Sequence, residues 1–315
     1  HQSGDLRGAE RYYRLTLKKD KKNTEALYLL GSLYSQTGDL KQAESILSAA
    51  LAEQPHHIQA LYNLSRVFMD SDRCEEAAGL LFRTLSLQPE NISALRNLGV
   101  VYLRLGRPRD AAPPLEKAIA LDPSSAETWC DLGLARSQMG NDKDAAEAFH
   151  QALLMDPDLA RARHNRGHLR LRQANFLEGW LDYEARKLDP KSGFEPRPFS
   201  YPTWQGEDLA GKSILVVGEQ GLGDQILYAS MLPELSDRAD HVVLECEFRL
   251  QPLFARSFPK ISVLPSTQPP LTEIFAANPD AQVAIGSLGQ WLRPDLNSFP
   301  QRNAYLRADP KRRNS

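Results

Sequence analysis

Between Thr24 and Leu159 the sequence repeats itself every 34 residues, four times without slippage. Aligning on that period stacks Leu27, Leu61, Leu95 and Trp129, then Leu30, Leu64, Leu98 and Leu132, then Gly31, Ser65, Gly99 and Gly133. Later in each unit come Ala43, Ala77, Ala111 and Ala145, then Leu47, Leu81, Leu115 and Phe149, then Ala50, Thr84, Ala118 and Ala152. Each unit closes on Pro55, Pro89, Pro123 or Pro157. Small residues recur where two helices must cross closely, large apolar ones where they fill the crossing, and a proline where the second helix must stop. A helical hairpin of this size cannot bury its own apolar face, so each must stack on the next and spread the core along the array.

This pattern resembles the tetratricopeptide repeat, which implies an α-solenoid with a concave groove lined by the first helix of each pair. The polar turns at Thr37-Gly38-Asp39, Ser71-Asp72-Arg73, Leu105-Gly106-Arg107 and Met139-Gly140-Asn141 separate the two helices of each unit. The stretch from Gly4 to Asp20 reads as the second helix of a preceding unit. Pro113 and Pro114 are expected in the first turn of a helix beginning near Asp110, where a missing N–H is tolerated; a helix beginning earlier would carry them inside. Residues 160–186 form a fifth, decaying unit in which Arg163 and Arg166 replace large apolar residues. Its second helix is unusually aromatic, through Phe176, Trp180 and Tyr183, and is expected to dock on another domain.

The fold class expected is therefore α plus α/β. The solenoid covers 1–187, an ordered connector rich in proline and glycine covers 188–211, and a Rossmann-like half-domain covers 212–315. From Lys212 the period changes. Ser213–Val217 is a short β-branched run suited to a strand buried on both faces. Further strands are expected at His241–Cys246, Ile261–Leu264 and Ala281–Ile285, with helices at Gln225–Leu235, Phe248–Ser257 and Leu271–Ala277 between them.

Composition excludes little else. A net charge of −2 gives no global attraction to nucleic acid or anionic membrane. Cys74, Cys130 and Cys246 lack CxxC spacing, which argues against a disulfide framework or a zinc site, and a reducing cytoplasm is expected. No apolar run reaches the roughly 18 residues that span a bilayer. The chain opens on His1 and inside a repeat, so its natural N-terminus is expected to lie further upstream.

Chemistry is expected at Gly218–Asp224, where glycines after the first strand bring backbone close to a ligand and the next helix turns N–H groups towards it. The spacing of Gly218, Gly221 and Gly223 is neither a dinucleotide fingerprint nor a P-loop, and no metal site or cofactor is expected. Asp224 reads from the residues as a helix N-cap.

The run from Gly218 to Ile226, with Leu232-Pro233, is similar to the opening of the catalytic region in bacterial repeat-bearing proteins of the GT-B glycosyltransferase type, and to the acceptor-side domain of lipopolysaccharide heptosyltransferases. Trp180, Tyr183-Glu184-Ala185-Arg186 and Pro202-Thr203-Trp204-Gln205-Gly206 resemble the segments that precede it there. The resemblance implies that Asp224 is a general base toward an acceptor hydroxyl. Glu219, Gln220, Gly221, Gly223 and Gln225 would line the substrate site, with a nucleotide-sugar as donor and a glycan or protein as acceptor. Such enzymes hold the donor mainly in a second α/β domain, which would begin near the end of this chain. The chain is thus expected to be the front part of a longer transferase and inactive alone. Asn63, Asn97, Asp131 and Asn165 recur at one register position and resemble the asparagine ladder of O-linked N-acetylglucosamine transferase, which implies a peptide-binding groove. Packing or local hydrogen bonding explains them equally. Two functions remain: a solenoid that presents a partner protein to a transferase domain, and a protein–protein scaffold with a non-catalytic α/β appendage.

Overall fold

The computed structural model describes residues 5–301 and 304–310. Gly4, the first residue of the expected opening helix, lies outside them, as do the last residues to Ser315. The chain divides into two compact units, His1–Leu159 and Ala160–Ser315. The seam falls before the fifth hairpin rather than after it.

The first unit is built from α1 (Leu6–Lys19), α2 (Thr24–Gln36), α3 (Leu40–Glu53), α4 (Ile58–Asp70), α5 (Cys74–Leu87), α6 (Ile92–Arg104), α7 (Pro108–Leu121), α8 (Ala126–Gln138) and α9 (Asp142–Met155). The even-numbered helices start at side-chain caps spaced by the repeat. Asn23, His57, Asn91 and Ser125 accept from the N–H of Ala26, Ala60, Ala94 and Thr128 at 2.9, 3.2, 2.9 and 3.3 Å. The turn inside each hairpin demands a left-handed residue. Gly38, Asp72, Gly106 and Gly140 supply it with φ of 81°, 57°, 67° and 80°, so Asp72 accepts a strain that glycine avoids. The close crossings are real: a Cβ on Gly31 or Gly133 would stand 2.6 Å from the side chain of Leu47 or Phe149.

Pro113 and Pro114 lie inside α7. The helix starts at Pro108, not near Asp110, so they are its sixth and seventh residues. Pro108 takes the first-turn position that suits the ring. The helix nevertheless runs on to Leu121, because Ala111, Leu115 and Ala118 are fully buried and packing holds the backbone where two N–H donors are missing.

The second unit begins with α10 (Ala160–Arg172) and α11 (Phe176–Tyr183), followed by a 3-10 turn at Glu184–Lys187. A connector without regular elements leads to β1 (Ser213–Val217), α12 (Leu222–Tyr228), α13 (Leu232–Arg238), β2 (His241–Cys246), α14 (Gln251–Ser257), β3 (Ser262–Pro265), α15 (Thr272–Ala276) and β4 (Ala281–Ala284). The expected single helix from Gln225 is two helices joined by a 3-10 turn at Ala229–Met231, with Pro233 in the first turn of α13. All strands are parallel and ordered β3-β2-β1-β4, with Ile214 opposite both Val242 and Ala281.

Strand β1 is covered on both faces, as its continuous apolar run requires. Ile214 and Val216 face a core that includes Trp180, Tyr183, Trp204, Leu232 and Phe254; Leu215 and Val217 face Phe199 and Ile274. The aromatics of α11 therefore dock on the sheet, as the sequence suggests. Trp180 also donates from Nε1 to the carbonyl of Arg293 at 2.8 Å. Inside the hairpin, an ion cluster replaces apolar packing. The buried Asp182 accepts from Arg166 at 2.6 and 2.9 Å and from Arg170 at 2.6 Å.

Candidate functional site

In an open α/β sheet, ligands bind outside the carboxyl ends of the strands where the strand order reverses. Here that point lies between β1 and β4, because β2 and β3 extend to one side of β1 and β4 returns on the other. The segments that flank it are the loop Gly218–Gly221 after β1 and the 3-10 turn Ile285–Leu288 after β4. The glycine loop is drawn tight: Gly218 N–H donates to the Glu245 carbonyl at 2.6 Å, and a Cβ on Gly218 would stand 2.7 Å from that oxygen.

Most polar side chains of the loop are committed within the chain. Glu219 is 4 % exposed and accepts from Arg186 Nη2 at 2.5 Å, Arg186 Nε at 3.1 Å and Gly286 N–H at 2.9 Å. Gln220 has φ of 57°, accepts from Tyr183 Oη at 2.7 Å and donates to the Ser192 carbonyl at 3.2 Å. Gln225 accepts from Glu247 N–H at 3.0 Å. Gly221 is the N-cap of α12, and Gly223 sits in its first turn with open space where a Cβ would project. Asp224 is the third helical residue rather than the cap itself. Its Oδ2 reaches back to Gly221 N–H at 3.1 Å, while Oδ1 accepts no hydrogen bond among the described residues. The carboxylate is half-buried.

Sequence reasoning missed the group that fills the switch point. Arg186 is fully buried and donates to Glu219, to Glu184 at 2.6 Å and to Ser287 Oγ at 2.9 Å, so one guanidinium ties the fifth hairpin to both switch-point loops. Burial opposes the charge on Arg186, but the neighbouring carboxylates outweigh it and the group stays protonated. For Glu184 burial likewise favours the neutral acid, yet Arg186 and Lys187 hold its carboxyl below the usual range. Tyr183 Oη accepts from Tyr228 Oη at 2.8 Å, and burial raises both phenols. The signal was present in the Tyr183-Glu184-Ala185-Arg186 motif, whose polar members mark a buried use after an apolar helix. Beside this group, His164 and His168 on α10 bring their Nε2 atoms within 3.1 Å of one another.

A cleft of about 200 Å³ opens near the ends of β1 and β4, lined among others by Lys187, Phe194, Arg197, Thr203 and Gln282. Its cations are already paired. Arg197 grips the buried Glu245 at 2.6 and 2.9 Å, and Lys187 meets Glu184 at 2.5 Å.

The regularly spaced amides of the first unit also have partners. Asn63 Nδ2 donates to Ser32 Oγ at 2.7 Å and Asn97 Nδ2 to Tyr62 Oη at 3.1 Å, each reaching back to the preceding even-numbered helix. Asp131 is 1 % exposed and ion-paired with Arg96 at 3.0 Å. The carbonyl oxygens of Asn63 and Asn97 accept no hydrogen bond from the described residues. Asn165 holds the same register position on α10, half-buried in the second unit.

Tetratricopeptide-repeat profiles match residues 1–54 and 38–100, 92–121, and 126–159. These hairpins are tetratricopeptide repeats. The protein FlbA of Caulobacter vibrioides is 40 % identical over 149 residues, which cover 43 % of this chain and 25 % of FlbA. The match thus spans a quarter of that relative's length. Two solved structures share the fold of the repeats. A tetratricopeptide repeat protein of Parabacteroides merdae superposes with a TM-score of 0.53 at 21 % identity, over 62 % of this chain and 76 % of that one. PilF of Pseudomonas aeruginosa superposes with a TM-score of 0.52 at 20 % identity, over 60 % and 87 %. Among the described residues no helix is long and apolar enough to cross a membrane.

Proposed function

We propose that the repeats hold an extended segment of a partner protein and that the second unit is the acceptor-side half of a GT-B-type glycosyltransferase. Asp224 would act as general base toward the partner's hydroxyl, with a nucleotide-sugar as donor. The observation that carries the reading is the state of Asp224. One carboxylate oxygen caps the turn and fixes the group at the reversal point of a parallel sheet, while the other accepts no hydrogen bond from the described residues and is available for a proton. In the groove, Asn63 and Asn97 each spend one N–H on a neighbour and keep a carbonyl oxygen that can accept from a peptide N–H. The three buried free thiols suit a reducing cytoplasm.

The test is Asp224→Asn in the natural full-length protein, with sugar transfer to protein acceptors followed by intact mass alongside a thermal melt. Loss of a general base lowers turnover by about 10²- to 10⁴-fold, whereas a weakened cap costs about 1 kcal/mol and little chemistry. Wild-type transfer by this variant would remove Asp224 from catalysis.

A second reading, a scaffold with a non-catalytic appendage, is favoured by the filled switch point, where Arg186, Glu219 and Ser287 occupy the space a ligand would use. Under it, no nucleotide-sugar is consumed and only groove substitutions alter function.

A further inference from the structure

We propose that His164 and His168 form a binding site for a divalent transition-metal ion of the Zn²⁺ or Cu²⁺ class. The two residues stand four apart on α10, so their side chains leave the same face of the helix. Their Nε2 atoms are 3.1 Å apart. Two imidazole nitrogens bound at about 2.0–2.1 Å to one tetrahedral ion are roughly 3.4 Å apart, so an opening of a few tenths of an ångström converts the pair into a pincer.

The surroundings prepare the rings for this. Asp189 Oδ2 lies 3.4 Å from His164 Nδ1, which keeps the proton on Nδ1 and turns the Nε2 lone pair toward His168, the carboxylate support common behind metal-bound imidazoles. Tyr183 packs against both rings, with centroids 5.6 and 5.2 Å away, and limits their rotation. His164 is buried, while His168 keeps an exposed edge through which an ion can enter. The charged groups that act on the pair are Asp189, Asp224, Glu219 and Arg186. Arg186 and Glu219 offset each other, which leaves the negative charge of Asp189 and Asp224 to favour a cation.

Without metal, His168 Nε2–H donates to His164 Nε2. When the ion binds, it takes the place of that proton, which passes through solvent to Nδ1 of His168. Both rings remain neutral, and no net proton is released at neutral pH. Among the described residues no group of three His, Cys, Asp or Glu side chains converges on one point, so the protein supplies two ligands and water completes the shell. Such an ion keeps open positions for an oxygen or anionic ligand. The site does not depend on the transferase reading.

The test uses untagged protein. Calorimetric titration with Zn²⁺ is expected to show saturable one-to-one binding that weakens at least tenfold in His168→Ala and about 10- to 100-fold in Asp189→Asn. Cu²⁺ electron spin resonance is expected to show splitting from two equivalent nitrogens, reduced to one in His168→Ala. His168→Gln with an unchanged circular dichroism spectrum and melting point guards against misfolding. Equal affinity in wild type and both His168 variants would place the ion on other histidines, such as His56, His57, His150 or His241, and overturn the proposal. Absence of saturable binding up to millimolar Zn²⁺ would leave the pair as a hydrogen bond only and overturn it too.

Discussion

Replacing Arg186 with methionine removes the guanidinium but keeps most of the side-chain volume. The variant leaves Glu219, 4 % exposed, with Gly286 N–H as its remaining donor, and it frees Ser287 and Glu184 of their shared cation. Breaking one side of a fully buried pair costs about 3–5 kcal/mol, because the surviving charge stays desolvated. For a unit of this length that corresponds to about 2–4 °C per kcal/mol, so a melting point lower by roughly 6–20 °C. Trp180, Trp204 and Trp291 belong to residues 160–315 and Trp129 alone to the first unit, so urea unfolding followed by tryptophan fluorescence reports mainly on the affected part. The double variant Arg186→Met, Glu219→Met is expected to recover most of the loss, since a well-packed apolar pair is often equal in stability to a buried ion pair. A single variant that costs less than about 1 kcal/mol would refute the reasoning, as would a double variant no better than the single.

Gly133→Leu is expected to force its side chain into Phe149 and lower stability by about 1–3 kcal/mol in chemical denaturation; an unchanged midpoint would mean that the crossing has slack. Joint replacement of Asn63 and Asn97 by alanine should weaken capture of an extended peptide partner, measured by calorimetry, and the lost bonds to Ser32 and Tyr62 should cost about 1 kcal/mol each in the melt. Burial pushes the Cys246 thiol up to about 12, so at pH 8 it carries almost no thiolate, and rapid alkylation of Cys246 in the native protein would contradict this. The depressed carboxyl of Glu184 contributes stability above its ordinary value of 4.5 that is lost as pH falls below it; Glu184→Gln should flatten that acid limb of the stability curve.

The repeat array was almost fully legible because one period dictates every crossing, cap and turn, and a feature seen once is seen again 34 residues on. The sheet was legible from β1, whose β-branched run between Gly211 and Gly218 suits a buried strand, and from the alternation of short apolar runs with helical patterns after it. Features that depend on a single local contest were not. Pro113 and Pro114 look like helix starters until Pro108 is seen to hold the first turn. The break after Tyr228 leaves no trace in the apolar pattern, since Tyr228 and Leu232 are buried on either side of it. Asp224 stood out because a glycine loop surrounds it. Arg186 and the pair His164 and His168 stood out less, because Glu219 and Ser287, 33 and 101 residues away, bind Arg186 in addition to nearby Glu184, and a carboxylate from the connector faces the histidines.

The placement of the seam at Leu159–Ala160 bears on where this chain can be cut and rejoined. Trp180 and Tyr183 pack in the core of the sheet and Arg186 pairs with its glycine loop, so the fifth hairpin belongs structurally with the α/β unit, although its sequence still carries the spacing of the array. A crossover placed after Lys187, at the boundary that composition alone suggests, would instead deliver a sheet with an uncapped acidic loop. A cut at the seam, one hairpin earlier, keeps Trp180, Tyr183 and Arg186 with the sheet they contact.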